Sequence, residues 1–285
     1  MEHLGEDKKI NQLSPLVSVC VPAYQHEPFI ERCLQSILCQ KTDFDFEILV
    51  GEDCSKDRTR EICIEYANKH PDKIRLFLRD EKEKAKRKGK WIGKFNHMEL
   101  HKSARGKYIC ICDGDDFWTD PEKLQIQVDL MEKYPEASIC ITNTLIEGEG
   151  EKHPISLPAT FSIFTPHQMR MKNYMGHISS WMMRNEMKEF HKNKVLEKST
   201  FLDMLIFTFY RLRGNVIYIP KVTSCYVNNP GGIFRSNSRK KNHMDMYRVN
   251  WLLFYYLHKD PIHFLRSTAY QLKRYYINFL KPSNT

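Results

Sequence analysis

Three carboxylates crowd four positions of this chain: Asp113, Asp115 and Asp116, with Gly114 among them and no basic residue in the cluster. Acids at that spacing repel one another unless a cation lies between them, and hard divalent ions prefer such oxygen ligands. The residues just ahead, Tyr108-Ile109-Cys110-Ile111-Cys112, are apolar throughout, which predicts a short strand covered on both faces. In an open α/β sheet, ligands bind beyond the carboxyl ends of the strands, and the cluster falls there. An acidic surface turn accounts for the same residues, so the surrounding chain has to decide. Two other acids stand out by position. Asp53 begins Asp53-Cys54-Ser55-Lys56-Asp57, a turn after a second apolar run, and Asp203 opens the otherwise apolar segment from Leu202 to Tyr210.

The elements that would position these acids alternate. Leu16 to Val21 reads as a first strand stopped by Pro22, and Pro28 suits the first turn of a helix running to about Gln40. Glu47 to Gly51 is a second buried strand; Ser55 then caps a helix from about Asp57 to His70, and Ile74 to Leu78 is a third strand. This order implies right-handed crossovers and a largely parallel sheet. A charged run, Lys86-Arg87-Lys88-Gly89-Lys90, reads as a solvated loop or as an approach to a phosphate. A helix from about Lys94 to Ser103 precedes the acid-bearing strand. Thr119-Asp120-Pro121-Glu122 has the form of a capping box opening a helix to about Lys133, and Ser138 to Asn143 is the next strand. Further on, the pattern predicts a helix near Pro166–Lys172, a strand at Ile178–Met183, a helix at Phe201–Leu212, and two strands at Val216–Ile219 and Thr223–Val227. The last stretch, from about Asn242 to Leu280, reads as helical with a break at Asp260-Pro261. Ile262, Leu265, Ala269, Leu272, Tyr276 and Phe279 form an apolar stripe along it.

Four stretches taken together resemble glycosyltransferase family 2: Val19-Cys20-Val21-Pro22-Ala23-Tyr24; Glu47 through Asp57; Gly106-Lys107-Tyr108-Ile109 running into Asp113-Gly114-Asp115-Asp116; and Tyr226 to Ile233 with its Gly231-Gly232 pair. The resemblance covers roughly residues 15 to 236 and implies the GT-A fold, an α/β, Rossmann-like and mostly parallel sheet sandwiched by helices, here followed by a C-terminal helical tail. It also implies transfer of a sugar from a nucleoside-diphosphate donor with inversion, assisted by a divalent metal, Mn2+ or Mg2+. On that resemblance Asp115 is the direct metal ligand, Asp113 serves the ribose or the metal's water, and Asp116 caps or orients. Pro22, Ala23, Tyr24 and Glu27 wall the nucleoside, although Tyr24 equally suits a core aromatic. Asp53 matches the acid that accepts the N3 proton of uracil, although a turn would also want an acid there. Asn96 faces the cleft, with Lys94 as a phosphate contact or a solvated lysine. Asp203 matches the general base at a helix start and is the only acid between Glu197 and Asp245, although a helix N-terminus favours an acid without any catalysis. Where many relatives carry an arginine and a metal-reaching histidine, this chain has Val227 and Asn229; Asn229 retains a carbonyl oxygen for a hard metal. His177 is a weaker acceptor-side candidate.

Bulk properties narrow the setting. The 285 residues, 41% of them hydrophobic, suffice for one large α/β domain with an appendage, and no apolar run approaches the roughly 20 residues of a spanning helix. The polar Met1–Ser14 start is no secretory signal, and nine scattered cysteines without a CxxC pair read as a reduced, cytosolic pattern. The formal charge is +9, but residues 237–285 carry nine Lys or Arg against two Asp, so +7 of it sits in the tail. That distribution argues against a nucleic-acid-binding body and for a tail meeting an acidic surface. The tail either lies at a membrane interface, placing the protein peripherally at the inner face, or packs on the body with its basic side solvated. The expected organisation is an extension (1–14), a glycosyltransferase domain (15–236, divided into a nucleotide-sugar half to 143 and an acceptor half from 144) and the basic tail (237–285). The expected function is an inverting, metal-dependent transferase using a UDP-sugar and extending a saccharide or lipid-linked acceptor in surface polysaccharide or lipopolysaccharide synthesis. The alternatives are a non-catalytic scaffold of an assembly complex and, less well matched because Pro22-Ala23-Tyr24-Gln25-His26 is not a Gly-rich phosphate loop, a sugar nucleotidyltransferase.

Overall fold

The computed structural model describes residues 2–3, 14–82, 94–148, 151–154, 157–170, 174–199, 201–229 and 238–276. The charged run 86–90, the Gly231-Gly232 pair and Phe279 lie outside the described residues. Strands β2 (Val17–Ala23), β3 (Phe46–Glu52), β4 (Ile74–Leu78) and β5 (Tyr108–Ile111) run parallel in the order β4-β3-β2-β5. Beyond β5 the sheet continues through β10 (Trp181–Arg184), β7 (Ala137–Gly148), β11 (Asn215–Val227) and the short β6 (Phe117–Trp118). β10 is antiparallel to both its neighbours, and β11 returns parallel to β7. β1 (Glu2–His3) adds an antiparallel edge on β4, so two residues of the expected N-terminal extension belong to the sheet.

Alternation along the strands builds two cores, because successive side chains point to opposite faces. Val17, Val19, Val21, Ile48 and Val50 pack against α1 (Ile30–Leu38), α2 (Thr59–Lys69) and α4 (Lys123–Lys133). Cys20, Leu49, Ile109 and Ile111 face the other way, toward α3 (Lys94–Ser103) and α7 (Leu202–Arg211). This is the α/β arrangement that the strand–helix alternation predicts.

Three local expectations fail for identifiable reasons. The Ser55 hydroxyl accepts from Gln25 N (2.9 Å) and caps nothing, so α2 starts later, at Thr59. The Thr119 capping box does not form: Asp120 Oδ1 accepts from Glu122 N (3.0 Å), and the helix begins at Lys123. The strands expected at 216–219 and 223–227 are one strand, β11, with register shifts between Tyr218 and Val222 and between Val222 and Ser224. The tail does break where expected. α8 (Arg239–Leu253) leads into a wide turn, Lys259 takes a left-handed φ of 48°, and Asp260 caps α9 (Pro261–Tyr275) by accepting from Ile262 N and His263 N. Proline at the first helical position costs no hydrogen bond.

Candidate active site at the switch between β2 and β5

The crossover after β2 leads to β3 on one side, while β5 pairs with β2 on the other, so the loops after β2 and β5 diverge around a crevice. The acid loop is held there by its backbone. Cys112 N donates to Cys20 O (3.0 Å), Gly114 N to Pro22 O (3.0 Å), and Asp116 N to Asp113 O (2.8 Å). Gly114 is required by close approach: a Cβ at this position would lie 2.7 Å from His26 Nδ1 and 3.1 Å from Pro22 O. On its far side the loop enters β6, which pairs with β11, and Asp116 Oδ1 accepts from Val227 N (3.1 Å). Asp116 therefore ties the acid loop to the end of β11, and its side chain is 1% exposed.

The loop after β2 is equally fixed. Gln25, His26 and Glu27 donate their amides to Ser55 Oγ, Thr59 Oγ1 and Asp57 Oδ2, and Glu27 accepts in return from Arg58 N (3.1 Å). Gln25 and Cys54 both take left-handed backbone, with φ of 54° and 60°, conformations that non-glycine residues hold only when their surroundings compel it. Pro22 and Ala23 end β2 in buried positions, Tyr24 is half-buried, and Asp53 is 1% exposed with its amide bonded to Ala23 O. Glu27 is thus committed to holding two loops together.

Each acid of the cluster faces a histidine. His26 Nε2 lies 3.6 Å from Asp115 Oδ2, His97 Nε2 3.4 Å from Asp113 Oδ1, and His177 Nδ1 3.4 Å from Asp116 Oδ2. None of these approaches has hydrogen-bond geometry, and Asp113 Oδ1 and Asp116 Oδ2 are buried without a hydrogen-bond partner. Burial, followed by the neighbouring acids, drives the Asp113 and Asp116 carboxyls up from the usual range. Burial also holds His97 and His177 down to about 4, so these rings are neutral and do not act as countercharges.

The remaining candidates divide. Asn229 Nδ2 donates to Asp115 Oδ2 (3.2 Å), so Asn229 reaches the cluster amide-first, and a flip of its amide would present the carbonyl oxygen instead. Asp203, at the start of α7, feels His97 and is felt by Asp113, and burial raises its carboxyl. Lys94 is turned to protein: its ammonium donates to Leu196 O and Ser199 O, the carbonyls just ahead of α7. It therefore tethers the segment carrying Asp203, a structural use that replaces the expected phosphate contact. Asn96 is likewise engaged, donating to Gly51 O (2.5 Å) and accepting from Arg79 Nε (3.4 Å).

The cluster fits a divalent cation. Two buried carboxylate oxygens lack partners, the acids repel one another, and among the described residues no lysine or arginine pairs with them. Among the described residues no three His, Cys, Asp or Glu side chains are grouped so that they could hold a metal ion by themselves. Magnesium and manganese sites that share their ion with a diphosphate need only one or two carboxylates from the protein.

Behind His97 the imidazoles continue. His97, His101 and His191 stand with ring centroids 6.1 and 5.9 Å apart, and both ring nitrogens of His101 and of His191 are buried without a partner. Burial depresses His101 well below the usual value and His191 to about 4. The unfolded chain therefore binds protons near pH 6.5 that the folded chain refuses. Stability is full above that pH and falls as the pH drops toward 4. Each such ring contributes a share of that loss as the pH falls below the unfolded histidine value. His101→Met is expected to recover most of that share, so its melting temperature should fall less between pH 7.5 and 5 than the native protein's. Equal falls in calorimetric melts would show that His101 takes up its proton in the folded protein as readily as in the unfolded chain.

Comparison with known proteins agrees with this architecture. The sequence profile described as glycosyl transferase family 2 matches residues 18–191. An uncharacterised protein of Mycobacterium tuberculosis is 26% identical over 226 residues, 77% of this chain and 61% of that protein. The chain thus spans somewhat under two thirds of such a relative. Chondroitin synthase of Escherichia coli is 34% identical over 137 residues, 48% of this chain and 18% of the synthase. In fold, the chain matches the S. aureus TarS 1-349 structure in complex with UDP-GlcNAc at a TM-score of 0.65 and 16% identity, covering 92% of this chain and 73% of that one.

Proposed function

The chain belongs to glycosyl transferase family 2, and from that premise we propose that it is an inverting transferase moving a sugar from a UDP-sugar to a hydroxyl of a saccharide or lipid-linked acceptor in surface polysaccharide synthesis. The observation that carries this reading is the acid cluster at the β2–β5 switch, with two buried carboxylate oxygens unpartnered. An enzyme that expels a diphosphate must neutralise its charge, and such a cluster collects the cation that does so.

In this reading Asp115 would hold the metal, Asp113 would serve the donor's ribose or the metal's hydration, and Asn229 would offer its carbonyl after an amide flip. When bound, the metal supplies Lewis-acid neutralisation of the departing UDP. Asp53 and Tyr24, with Pro22 and Ala23, form the nucleoside wall. Asp203 removes the proton from the acceptor hydroxyl. That oxygen then attacks the anomeric carbon from the face opposite UDP, the bond to the diphosphate breaks with its electrons going to UDP, and a single displacement inverts the centre. Lys94 and Glu27 are positioning residues. Residues 15–143 would serve the donor and 144–236 the acceptor, both halves sharing one sheet. The UDP-GlcNAc complex of TarS supports the donor class, and chondroitin synthase supports a polysaccharide product.

Titration calorimetry of UDP, with manganese and with chelator, tests the donor site. Binding that requires the metal is the expected result. Failure to bind UDP under either condition would overturn the uridine assignment.

A further inference from the structure

The aliphatic stripe of the tail points outward. The inner face of α9 is His263, Phe264, Thr268, Gln271 and Tyr275, held to α8 by polar bonds such as Asn250 Nδ2 to Thr268 Oγ1 (2.8 Å) and Gln271 Nε2 to Met246 O (3.3 Å). The hairpin is also fixed to the body. Val249 and Leu253 are buried in the core around α7, and Arg170 pairs with Asp260. The outer face is therefore exposed although the tail is docked. Trp251 of α8, Tyr255 in the turn after it, Ile262, Leu265 and Leu272 of α9, and Tyr276 at its C-cap are each more than half exposed. Trp251 packs edge-on against Phe264 of the inner face of α9, with ring centroids 4.6 Å apart.

Cations flank this apolar surface. Arg248 follows the Trp251 and Tyr255 side of α8, Arg266 and Lys273 border the stripe of α9, and Lys259 lies at the turn between them, all exposed. Among the described residues none of the four has an ion-pair partner. Of the two acids of the tail, Asp260 is taken by Arg170. A second copy of the chain is a poor occupant, because a two-fold interface would set these cations against themselves. The occupant must be apolar at its centre and anionic around it. We propose that the outer face of α8 and α9 seats the protein on an anionic phospholipid surface, with Trp251 and Tyr255 at headgroup depth and the arginines and lysines on lipid phosphates. This inference rests on the tail surface alone and does not depend on the donor reading.

Flotation of the full chain with lipid vesicles tests it. The native protein should float with phosphatidylcholine–phosphatidylglycerol vesicles, remain behind with pure phosphatidylcholine, and detach as salt is raised. Arg266→Ala with Lys273→Ala should lower the partition about 30-fold, and Leu265→Ser with Leu272→Ser about tenfold or more. Both variants change exposed positions, so their melting temperatures and their UDP binding in solution should match the native protein's. Those two measurements separate failure of this surface from failure of the donor site. Absence of native flotation with anionic vesicles, or equal flotation of the variants, overturns the proposal. A concentration-dependent dimer in light scattering that Leu265→Ser with Leu272→Ser dissolves would also overturn it, assigning the face to a second copy.

Discussion

Replacing Asp203 by asparagine is expected to leave UDP affinity within about twofold of native while lowering turnover by about 10²–10⁴-fold, the range a positioned general base contributes. Asparagine keeps the size of the side chain and its acceptor for Met204 N (2.8 Å in the native protein), but it cannot take a proton. Burial raises the Asp203 carboxyl, which brings its proton affinity closer to what deprotonating a hydroxyl needs. The sign of the pH dependence follows. Turnover should climb as the pH rises through the Asp203 pKa and flatten above it, and the variant's small residual rate should lose that acid limb. The assay is UDP release from a UDP-sugar against a panel of saccharide acceptors, with calorimetry on the same preparations. Retained turnover would remove Asp203 from the chemistry. A parallel loss of UDP binding would instead assign it to the donor pocket.

The sheet and the acid cluster were legible because their signals are local. An apolar run ending in Asp-Gly-Asp-Asp announces both a buried strand and its carboxyl-end loop, and the observed β5 and its loop occupy those residues. Asp203 stood out as a single acid on an apolar segment. The histidines did not. His26 and His97 carry no pattern of their own, and only the approach of the β2 and β5 loops and the side of α3 turned to the cleft bring them within 3.6 and 3.4 Å of carboxylates. The one available hint was spacing. Lys94, His97 and His101 recur at helical intervals, which places them on one face of α3. Lys94 was unreadable for a different reason: a lysine is rarely buried, and here two carbonyls ahead of α7, about a hundred residues along the chain, satisfy it. The tail shows the limit of periodicity most plainly. It identified which residues of α9 share a stripe but not which face packs inward, and the inner face turned out to be polar and aromatic.

Asp115→Asn should change stability in opposite directions with and without ligand. In the native protein, manganese with UDP at about a hundredfold over the dissociation constant should add about 2.7 kcal/mol and raise the melting temperature by roughly 5 °C. The asparagine variant should show none of this rise, because the group proposed to bind the metal directly is gone. Without ligand, however, the variant should melt at or above the native temperature. Asp115 is one of the charges that raise Asp113 and Asp116, and removing it lets the two buried acids ionise at lower cost. The Asn229 amide keeps an oxygen to donate to, so the substitution leaves no orphaned partner. A variant that merely unfolded would lose stability in both states, which makes the crossing of the two effects the informative result. A ligand-induced rise that survives in the variant would move the metal to Asp113 and Asp116. A fall in the unliganded melting temperature would mean that Asp115 holds the loop together, and that the repulsion among the three acids is relieved by the protein itself.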